Sequence, residues 1–232
     1  MDINGAKILM AGATGHLGGL TARELASAGG ELFLAGRHAD RLRALGEELD
    51  APTGAFDLTD EESCERVVEE AAEALGGLDV LWVSTGVAAF GSAAQLDADA
   101  TRQLFQVNVI GPIALLRAAL PRLSEDGAIV AFSAIVADFP TADMAAYSAT
   151  KAGLSAYLAA VRRERRRDGL TVLDLRPQHM ETGFSERPLA GHAPELPEPV
   201  DAGEVVEKAI GALREGKREM AWNLKDRALV VS

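Results

Sequence analysis

The fold of this 232-residue chain is decided by a stretch near its N-terminus, which reads KILMAGATGHLGG over residues 7–19. The apolar segment Ala6–Ala11 predicts a buried strand, and His16–Ala28 predicts an amphipathic helix. The glycines between them are spaced G-x-x-G-x-x-G. Glycine allows the tight bend and the close approach of a ligand in such a turn, and the start of the helix offers free N–H groups to a pyrophosphate. The spacing alone is weak evidence for a dinucleotide-binding loop, because small residues also occur at the start of a helix where it packs closely.

Short apolar runs recur along the chain and alternate with Ala-rich amphipathic stretches. The runs are Ala6–Ala11, Glu31–Gly36, Gly54–Phe56, Asp79–Ser84, Ala128–Ser133 and Thr171–Leu175. Several are continuous rather than alternating in polarity, as in strands buried on both faces of a parallel sheet. Further helices are expected at Thr59–Leu75 and Asp201–Glu215. This alternation predicts an α/β fold with a Rossmann-like doubly wound parallel sheet in three α/β/α layers.

Composition and charge exclude several classes of protein. The apolar fraction of 48% is typical of a globular core, and the length suits a single domain at residues 1–232. The net charge of −12 argues against nucleic acid as a partner, since an acidic protein repels phosphate backbones. Cys64 is the only cysteine and cannot form an intrachain disulfide. No metal site, signal peptide or membrane-spanning segment is recognised, so we expect a cytoplasmic protein that does not bind membranes.

Charged residues follow the second and third predicted strands, where the adenosine of a dinucleotide would lie. The second strand ends Leu34-Ala35-Gly36-Arg37-His38, with no acid at its tip. An acid there is typical of NAD sites, whereas Arg37 can hold a 2′-phosphate through a forked contact, so we predict NADP(H) in preference to NAD(H). Alternatively Arg37 is a surface residue and Asp40 or another group sets the preference. Asp57, after the third strand, can receive the adenine amino group or cap the next helix.

A tyrosine and a lysine one helical turn apart carry the chemical signal. Tyr147 and Lys151, within AAYSATKAGL at 145–154, share one face of a helix. A cation about 4 Å from a phenol, at an effective dielectric of about 20, contributes about 4 kcal/mol, or roughly three pKa units. This would bring the pKa of Tyr147 towards neutrality, where it can exchange a proton with an alcohol or ketone. Exposed helical pairs show the same spacing by chance, but the other tyrosine, Tyr157, has no cation four positions on.

The order of these motifs resembles that of the short-chain dehydrogenase/reductase family over about residues 5–222. The resemblance rests on the glycine loop at 12–18, Asp57, Asn108-Val109, Ser133 at a strand end, Tyr147-x-x-x-Lys151 and Pro177…Thr182. A Tyr-x-x-x-Lys pair with an upstream Asn-Val and a glycine loop, in this order, is a specific combination.

The resemblance implies a role for each matching residue. Tyr147 would protonate a carbonyl oxygen or take a hydroxyl proton, and Lys151 would bind the nicotinamide ribose and lower the pKa of the tyrosine. Ser133 would orient the substrate oxygen. Asn108 would hold a water that links Lys151 to solvent, and Thr182 would contact the nicotinamide carboxamide. The residues expected to bind NADP(H) are Gly12, Thr14, Gly15, His16, Leu17, Gly18, Arg37, Asp57, Leu58, Ser84, Thr85, Gly86, Tyr147, Lys151, Pro177 and Thr182.

Two departures from the family pattern affect the site. The usual Asn-Asn-Ala-Gly is replaced by VSTGV at residues 83–87, where hydroxyls must replace the amide hydrogen bonds. The family often has Ser-Ser where this chain has Ser133-Ala134, and an ungapped alignment puts Ala134 in the catalytic position. A one-residue shift in the loop Ile135–Met144 would let Ser133 occupy the catalytic position, and we assign the role of the catalytic serine to Ser133. If the Ser133 hydroxyl cannot reach the substrate oxygen, Tyr147 alone would polarise the substrate.

The Pro-rich stretch at residues 177–200 is predicted to be a loop that covers the substrate. Phe139, Met144, Phe184 and Leu189 indicate an apolar pocket for a small or hydrophobic carbonyl compound. We therefore predict an NADP(H)-dependent oxidoreductase that interconverts a carbonyl and a secondary alcohol by hydride transfer. The resemblance also implies a homodimer or homotetramer. The altered motifs keep open a non-enzymatic NAD(P)-binding sensor or scaffold protein of the same fold.

Overall fold

An eight-stranded sheet forms the centre of the fold in the computed structural model, which describes residues 1–232. The strands are β1 (Lys7–Ala11), β2 (Glu31–Gly36), β3 (Thr53–Ala55), β4 (Leu78–Val83), β5 (Leu123–Phe132), β6 (Thr171–Arg176), β7 (Glu219–Asn223) and β8 (Ala228–Val231). They lie in the order β3-β2-β1-β4-β5-β6-β7-β8, and all neighbours are parallel except β7 and β8. The first six have the order of a doubly wound sheet, which confirms the predicted fold class. β7 and β8 were not predicted.

Seven α-helices cover both faces of this sheet. They are α1 (His16–Ser27), α2 (Ala39–Leu49), α3 (Glu61–Leu75), α4 (Ala98–Phe105), α5 (Gly111–Ala119), α6 (Ala145–Glu164) and α7 (Ala202–Arg214). Successive strand residues point to opposite faces, so Leu81 packs with α3, α5 and α6, while Trp82 packs with α1, α2 and α7. Because both faces are covered, the strands are apolar along their length. The structure thus confirms the three α/β/α layers.

The start of α3 shows how a local polar contact sets a helix boundary. Its N-cap is Asp60, whose carboxylate accepts a hydrogen bond from the Glu62 backbone N–H at 3.0 Å. Thr59 instead donates from its N–H and hydroxyl to Asp57, at 2.9 and 2.8 Å, so the helix begins two residues after the predicted position. None of the helices combines the length and the apolar composition that crossing a bilayer requires.

The segment at residues 177–200, called the lid below, runs irregularly between β6 and α7. Backbone hydrogen bonds attach its middle to the segment that follows β4. Leu189 N–H donates to the Ala88 carbonyl at 2.7 Å, and Phe90 N–H donates to the Ala190 carbonyl at 2.9 Å. These two bonds hold the lid against the edge of the sheet where the strands carry their carboxyl ends.

Candidate active site

A cleft of about 690 Å³ opens at the carboxyl ends of the parallel strands. The chain places β2 and β3 on one side of β1 and β4 to β8 on the other, and ligands bind at such a switch point in open α/β sheets. Every residue predicted to bind NADP(H), from Gly12 to Thr182, lies in the lining of this cleft. Ser133 lines it as well, whereas Asn108 lies outside the lining. The fold thus brings the predicted residues together, and their binding roles remain predictions.

Two glycines of the loop at residues 12–18 are required by close backbone approach. Gly12 has φ +92°, and a Cβ there would lie 2.8 Å from the Ser84 carbonyl oxygen. A Cβ on Gly18 would collide with the Gly12 carbonyl. Gly15 caps α1 without a side-chain hydrogen bond, and no acidic residue occupies the first turn. The first N–H groups of α1 are therefore left to an anionic ligand.

Two hydroxyl groups that follow β4 bear on whether the cleft suits a dinucleotide. The Ser84 and Thr85 side-chain oxygens are buried and have no hydrogen-bond partner. Buried polar atoms in folded proteins almost always have one, because an unpaired atom costs free energy. Both residues line the cleft opposite the glycine loop, since the methyl of Thr85 lies 3.1 Å from where a Gly12 Cβ would be. The residues present fit a polar ligand of the dinucleotide type.

The helix α6 carries Tyr147 and Lys151 into the cleft on one face, one turn apart. Both side chains are buried, with 8% and 3% of their surface exposed. The Lys151 ammonium lies 5.9 Å from the centre of the Tyr147 ring and donates to the Phe132 carbonyl at 3.0 Å. The end of β5 therefore orients the lysine beside the phenol.

The predicted lowering of the Tyr147 pKa is wrong. Burial raises the pKa of the phenol, because the phenolate would lose its hydration. Burial also lowers the pKa of Lys151 to about 8, although the negative charge of Asp174 acts to raise it. The lysine does not offset the burial of the tyrosine, since its hydrogen bond goes to the Phe132 carbonyl.

Asn108 lies in a π-helical turn, Gln106–Ile110, between α4 and α5. Its carboxamide accepts a hydrogen bond from the Val87 N–H and donates to the Val87 carbonyl, both at 2.9 Å. It also donates to the Thr150 hydroxyl at 3.1 Å. A Cβ on Gly86 would lie 3.4 Å from both the Asn108 amide oxygen and the Lys151 nitrogen. Asn108 therefore fixes the chain after β4 beside the lysine, and the predicted water relay remains a prediction.

The Ser133 hydroxyl, which is predicted to orient the substrate, already has a partner within the protein, and its role remains a prediction. Its hydroxyl donates to a carboxylate oxygen of Asp174 on β6 at 2.5 Å. The other oxygen of Asp174 accepts from Ser155 and Arg176. In this arrangement the one hydroxyl proton of Ser133 is donated to Asp174, and its oxygen can still accept a hydrogen bond. The next residue, Ala134, lines the cleft without a polar atom on its side chain.

Apolar side chains form the wall of the cleft around Tyr147. The Phe184 ring, on the lid, lies 6.2 Å from the Tyr147 ring, centre to centre. The predicted residues Phe139 and Met144 also line the cleft, whereas Leu189 packs behind it. Phe90, Val136 and Leu196 complete the wall. Leu196 belongs to the loop predicted to cover the substrate, whereas sequence reasoning missed Phe90, which no local signal marks.

Two arginines face the end of the cleft next to β2. Arg37 follows the strand directly and Arg41 lies in the first turn of α2; neither forms an ion pair. Asp40 is exposed, pairs with Arg43 and does not line the cleft. Hydrogen bonds from Thr59 and the nearby charge of Arg37 lower the pKa of Asp57. Arg41 was missed, although its position in the helix after β2 is a readable signal.

The chain is similar to known proteins of one family in both sequence and structure. The family model described as short chain dehydrogenase matches residues 6–190. Sulfoacetaldehyde reductase 2 of Chromohalobacter salexigens is 31% identical over 186 residues, covering 77% of this chain and 74% of the relative. Dehydrogenase/reductase SDR family member 7B of Bos taurus is 29% identical over 196 residues, covering 79% of this chain and 60% of the relative. A short chain dehydrogenase of Burkholderia cenocepacia, solved with NADP, superimposes with a TM-score of 0.81 at 26% identity over 92% of both chains.

Fold and cleft together place the chain in the Rossmann-like, doubly wound α/β class. This chain belongs to the short-chain dehydrogenase/reductase family, which confirms the resemblance inferred from the sequence. The chain spans 60% of the length of the bovine relative.

Proposed function

We propose that the protein is an NADP(H)-dependent oxidoreductase that interconverts a carbonyl and a secondary alcohol, with Tyr147 as general acid and base. The observation that carries this proposal is the placement of the Tyr147 phenol and the Lys151 ammonium in the same cleft as the glycine loop. The nicotinamide cofactor supplies or accepts the hydride when it is bound. The NADP in the Burkholderia cenocepacia relative supports the choice of cofactor.

The residues of this chain transfer the proton to or from the substrate oxygen. In reduction, Tyr147 donates its phenolic proton to the carbonyl oxygen, and in oxidation the phenolate takes the proton of the alcohol. Burial raises the pKa of Tyr147, which keeps the phenol protonated at neutral pH, the form that reduction needs. Lys151, with its pKa lowered to about 8, is charged at neutral pH and stabilises the phenolate that forms. The Phe132 carbonyl holds that charge in place.

The apolar wall supports a hydrophobic carbonyl compound as substrate. Phe90, Met144 and Phe184 surround the position that a substrate would take beside Tyr147. An apolar wall contributes affinity through burial and leaves orientation to a few polar groups. In this cleft the phenol is the polar group that faces such a substrate.

The test of this function is binding followed by turnover. NADPH binding is measured by the change in nicotinamide fluorescence, and NADPH oxidation is then measured with a panel of aliphatic and aromatic aldehydes and ketones. We expect binding, and oxidation that is fastest with apolar carbonyl compounds. Binding without turnover on any of them would favour the second candidate, a non-enzymatic NAD(P)-binding sensor or scaffold protein. The commitment of Ser133 to Asp174 is the observation in favour of that candidate.

Arg37→Gln is expected to weaken NADPH binding by roughly tenfold or more, because the variant loses a charge-assisted hydrogen bond to the 2′-phosphate. NADH lacks that phosphate, so its affinity should stay unchanged. Arg43→Gln is the matched control, since Arg43 pairs with Asp40 outside the cleft. Dissociation constants for both nucleotides check the prediction, which is wrong if Arg37→Gln changes the two affinities equally.

Ala134→Ser is expected to raise kcat/KM for carbonyl reduction by roughly tenfold, because it adds a hydroxyl donor to the cleft wall beside Tyr147. Ser133→Ala is expected instead to lower the melting temperature with little change in kcat, since its hydroxyl is bound to Asp174. Steady-state kinetics and thermal unfolding of both variants measure this. Loss of turnover in a folded Ser133→Ala protein would restore Ser133 to the catalytic role.

We also propose a homodimer or homotetramer. The support in this chain is the exposure of two large apolar side chains, Phe105 at the end of α4 and Ile110 in the π-helical turn, which are 38% and 42% exposed.

A further inference from the structure

A second cavity of about 450 Å³ adjoins the cleft beside the glycine loop. It is bounded by the first turns of α1, by α2 and by the lid. Its titratable side chains are all basic: His16, Arg23, Arg41 and Arg187. No acidic residue lines this cavity, although Asp and Glu outnumber Lys and Arg by 35 to 23 in the chain. A concave surface with charges of one sign attracts ligands of the opposite sign, here anions.

The arginines of this cavity differ in how far their charge is compensated. Arg23 makes a forked ion pair with Glu48, at 2.6 and 2.7 Å, which neutralises it. Arg187 forms no ion pair. Its guanidinium donates to the carbonyl oxygens of Gly183, at 2.9 Å, and Thr182, at 3.3 Å. These carbonyls orient the guanidinium, but they leave its charge uncompensated and its Nη1 free to donate.

Arg187 is also the only arginine or lysine of the lid. It lines both the cleft and the adjoining cavity, which residues 13–16 of the glycine loop also line. The predicted 2′-phosphate partner, Arg37, lines the cleft but not this cavity. The anion nearest Arg187 is therefore the one that would lie at the N-terminus of α1, and that anion is the pyrophosphate.

We propose that Arg187 binds the pyrophosphate of the dinucleotide and so ties the lid to the bound cofactor. The guanidinium and the N–H groups of α1 hold the same phosphates from two separate parts of the chain. A guanidinium donates two parallel hydrogen bonds to phosphate oxygens, which suits Arg better than Lys for this contact. The proposal rests on the proposed function, because it requires a dinucleotide in the cleft.

The experiment compares dissociation constants of NADPH and NADH for the wild type, Arg187→Gln and Arg187→Lys across a range of NaCl concentrations. Because both nucleotides contain the pyrophosphate, we expect Arg187→Gln to weaken both by a similar factor, roughly tenfold. We also expect a shallower dependence of log Kd on log salt, since one charge contact is lost. Arg187→Lys should keep the wild-type salt dependence, which a merely structural role of the arginine would not produce. Arg163→Gln, which removes an exposed arginine near the end of α6, is the control and should bind as the wild type does.

The outcomes separate this proposal from the one on which it rests. If the wild type binds neither nucleotide, the proposed function fails. If the wild type binds and Arg187→Gln binds equally well, only the role of Arg187 is overturned. A loss confined to NADPH overturns the pyrophosphate assignment, because the contact would then be to the 2′-phosphate. Melting temperatures check that the variants are folded, and Arg187→Lys carries the test if Arg187→Gln is not.

Discussion

Replacing Tyr147 with phenylalanine is expected to lower kcat for carbonyl reduction by about 10²- to 10⁴-fold, the usual contribution of a positioned general acid. The variant removes one oxygen atom and retains the ring that packs 6.2 Å from the Phe184 ring. In the wild type the phenol is the polar side chain that the cleft presents among Phe90, Met144 and Phe184. With the phenol hydroxyl gone, the variant lacks the proton donor proposed for the substrate oxygen, and the Ser133 hydroxyl is bound to Asp174.

Tyr157→Phe is the matched control for this variant. Tyr157 lies on the same helix, α6, but packs against the core cluster and does not line the cleft. The same change of one hydroxyl should therefore leave kcat unchanged. Tyr157→Phe should bind NADPH as the wild type does, and Tyr147→Phe should retain most of the affinity, since the phenol is not needed to hold the phosphates. Equal turnover by Tyr147→Phe and the wild type would remove Tyr147 from the mechanism.

Arg176→Met is expected to destabilise the fold by about 3–5 kcal/mol, the cost of leaving one partner of a buried ion pair uncompensated. The Arg176 guanidinium donates to Asp174 at 2.5 Å, and to Asp138 and Glu219 at 2.8 Å each. Asp174 has 1% of its side chain exposed, so water cannot replace the arginine. For a domain of this size the loss corresponds to a fall in melting temperature of roughly 10 °C or more.

Two further variants make this stability prediction decisive. Arg163→Met removes an exposed arginine near the end of α6, and we expect a change within about 0.5 kcal/mol. The double variant Asp174→Asn/Arg176→Met removes both buried charges and should recover part of the lost stability, because no lone charge is left inside. Denaturant unfolding measures all three. A double variant less stable than Arg176→Met would show that packing, and not charge, carries the effect.

The same ion-pair network connects the two walls of the site. Asp138 lies in the loop after β5, and Arg176 is the last residue of β6, directly before the lid. Their pair at 2.8 Å fixes these two segments relative to each other. We therefore expect loss of Arg176 to affect substrate affinity as well as stability.

Features that depend on neighbours along the chain could be read from the sequence. Six of the seven parallel strands follow from short apolar runs, and the turn at residues 12–18 follows from glycine spacing between a strand and a helix. Tyr147 and Lys151 are brought to one face by the period of an α-helix alone. Family membership follows from the order of such local motifs, which is why the comparisons confirm it.

Features that depend on distant contacts and on burial were decided only by the tertiary structure. Ser133 and Asp174 are 41 positions apart in the sequence. Only the pairing of β5 with β6 brings the Ser133 hydroxyl to the carboxylate that accepts its hydrogen bond. The pKa of Tyr147 could not be judged from Lys151 alone, because loss of hydration inside the cleft outweighs one neighbouring charge. Arg187 and the glycine loop line one cavity because the lid returns to this end of the sheet. Local spacing specifies which residues share an element, whereas long-range packing determines which partner each polar group meets and how much water it retains.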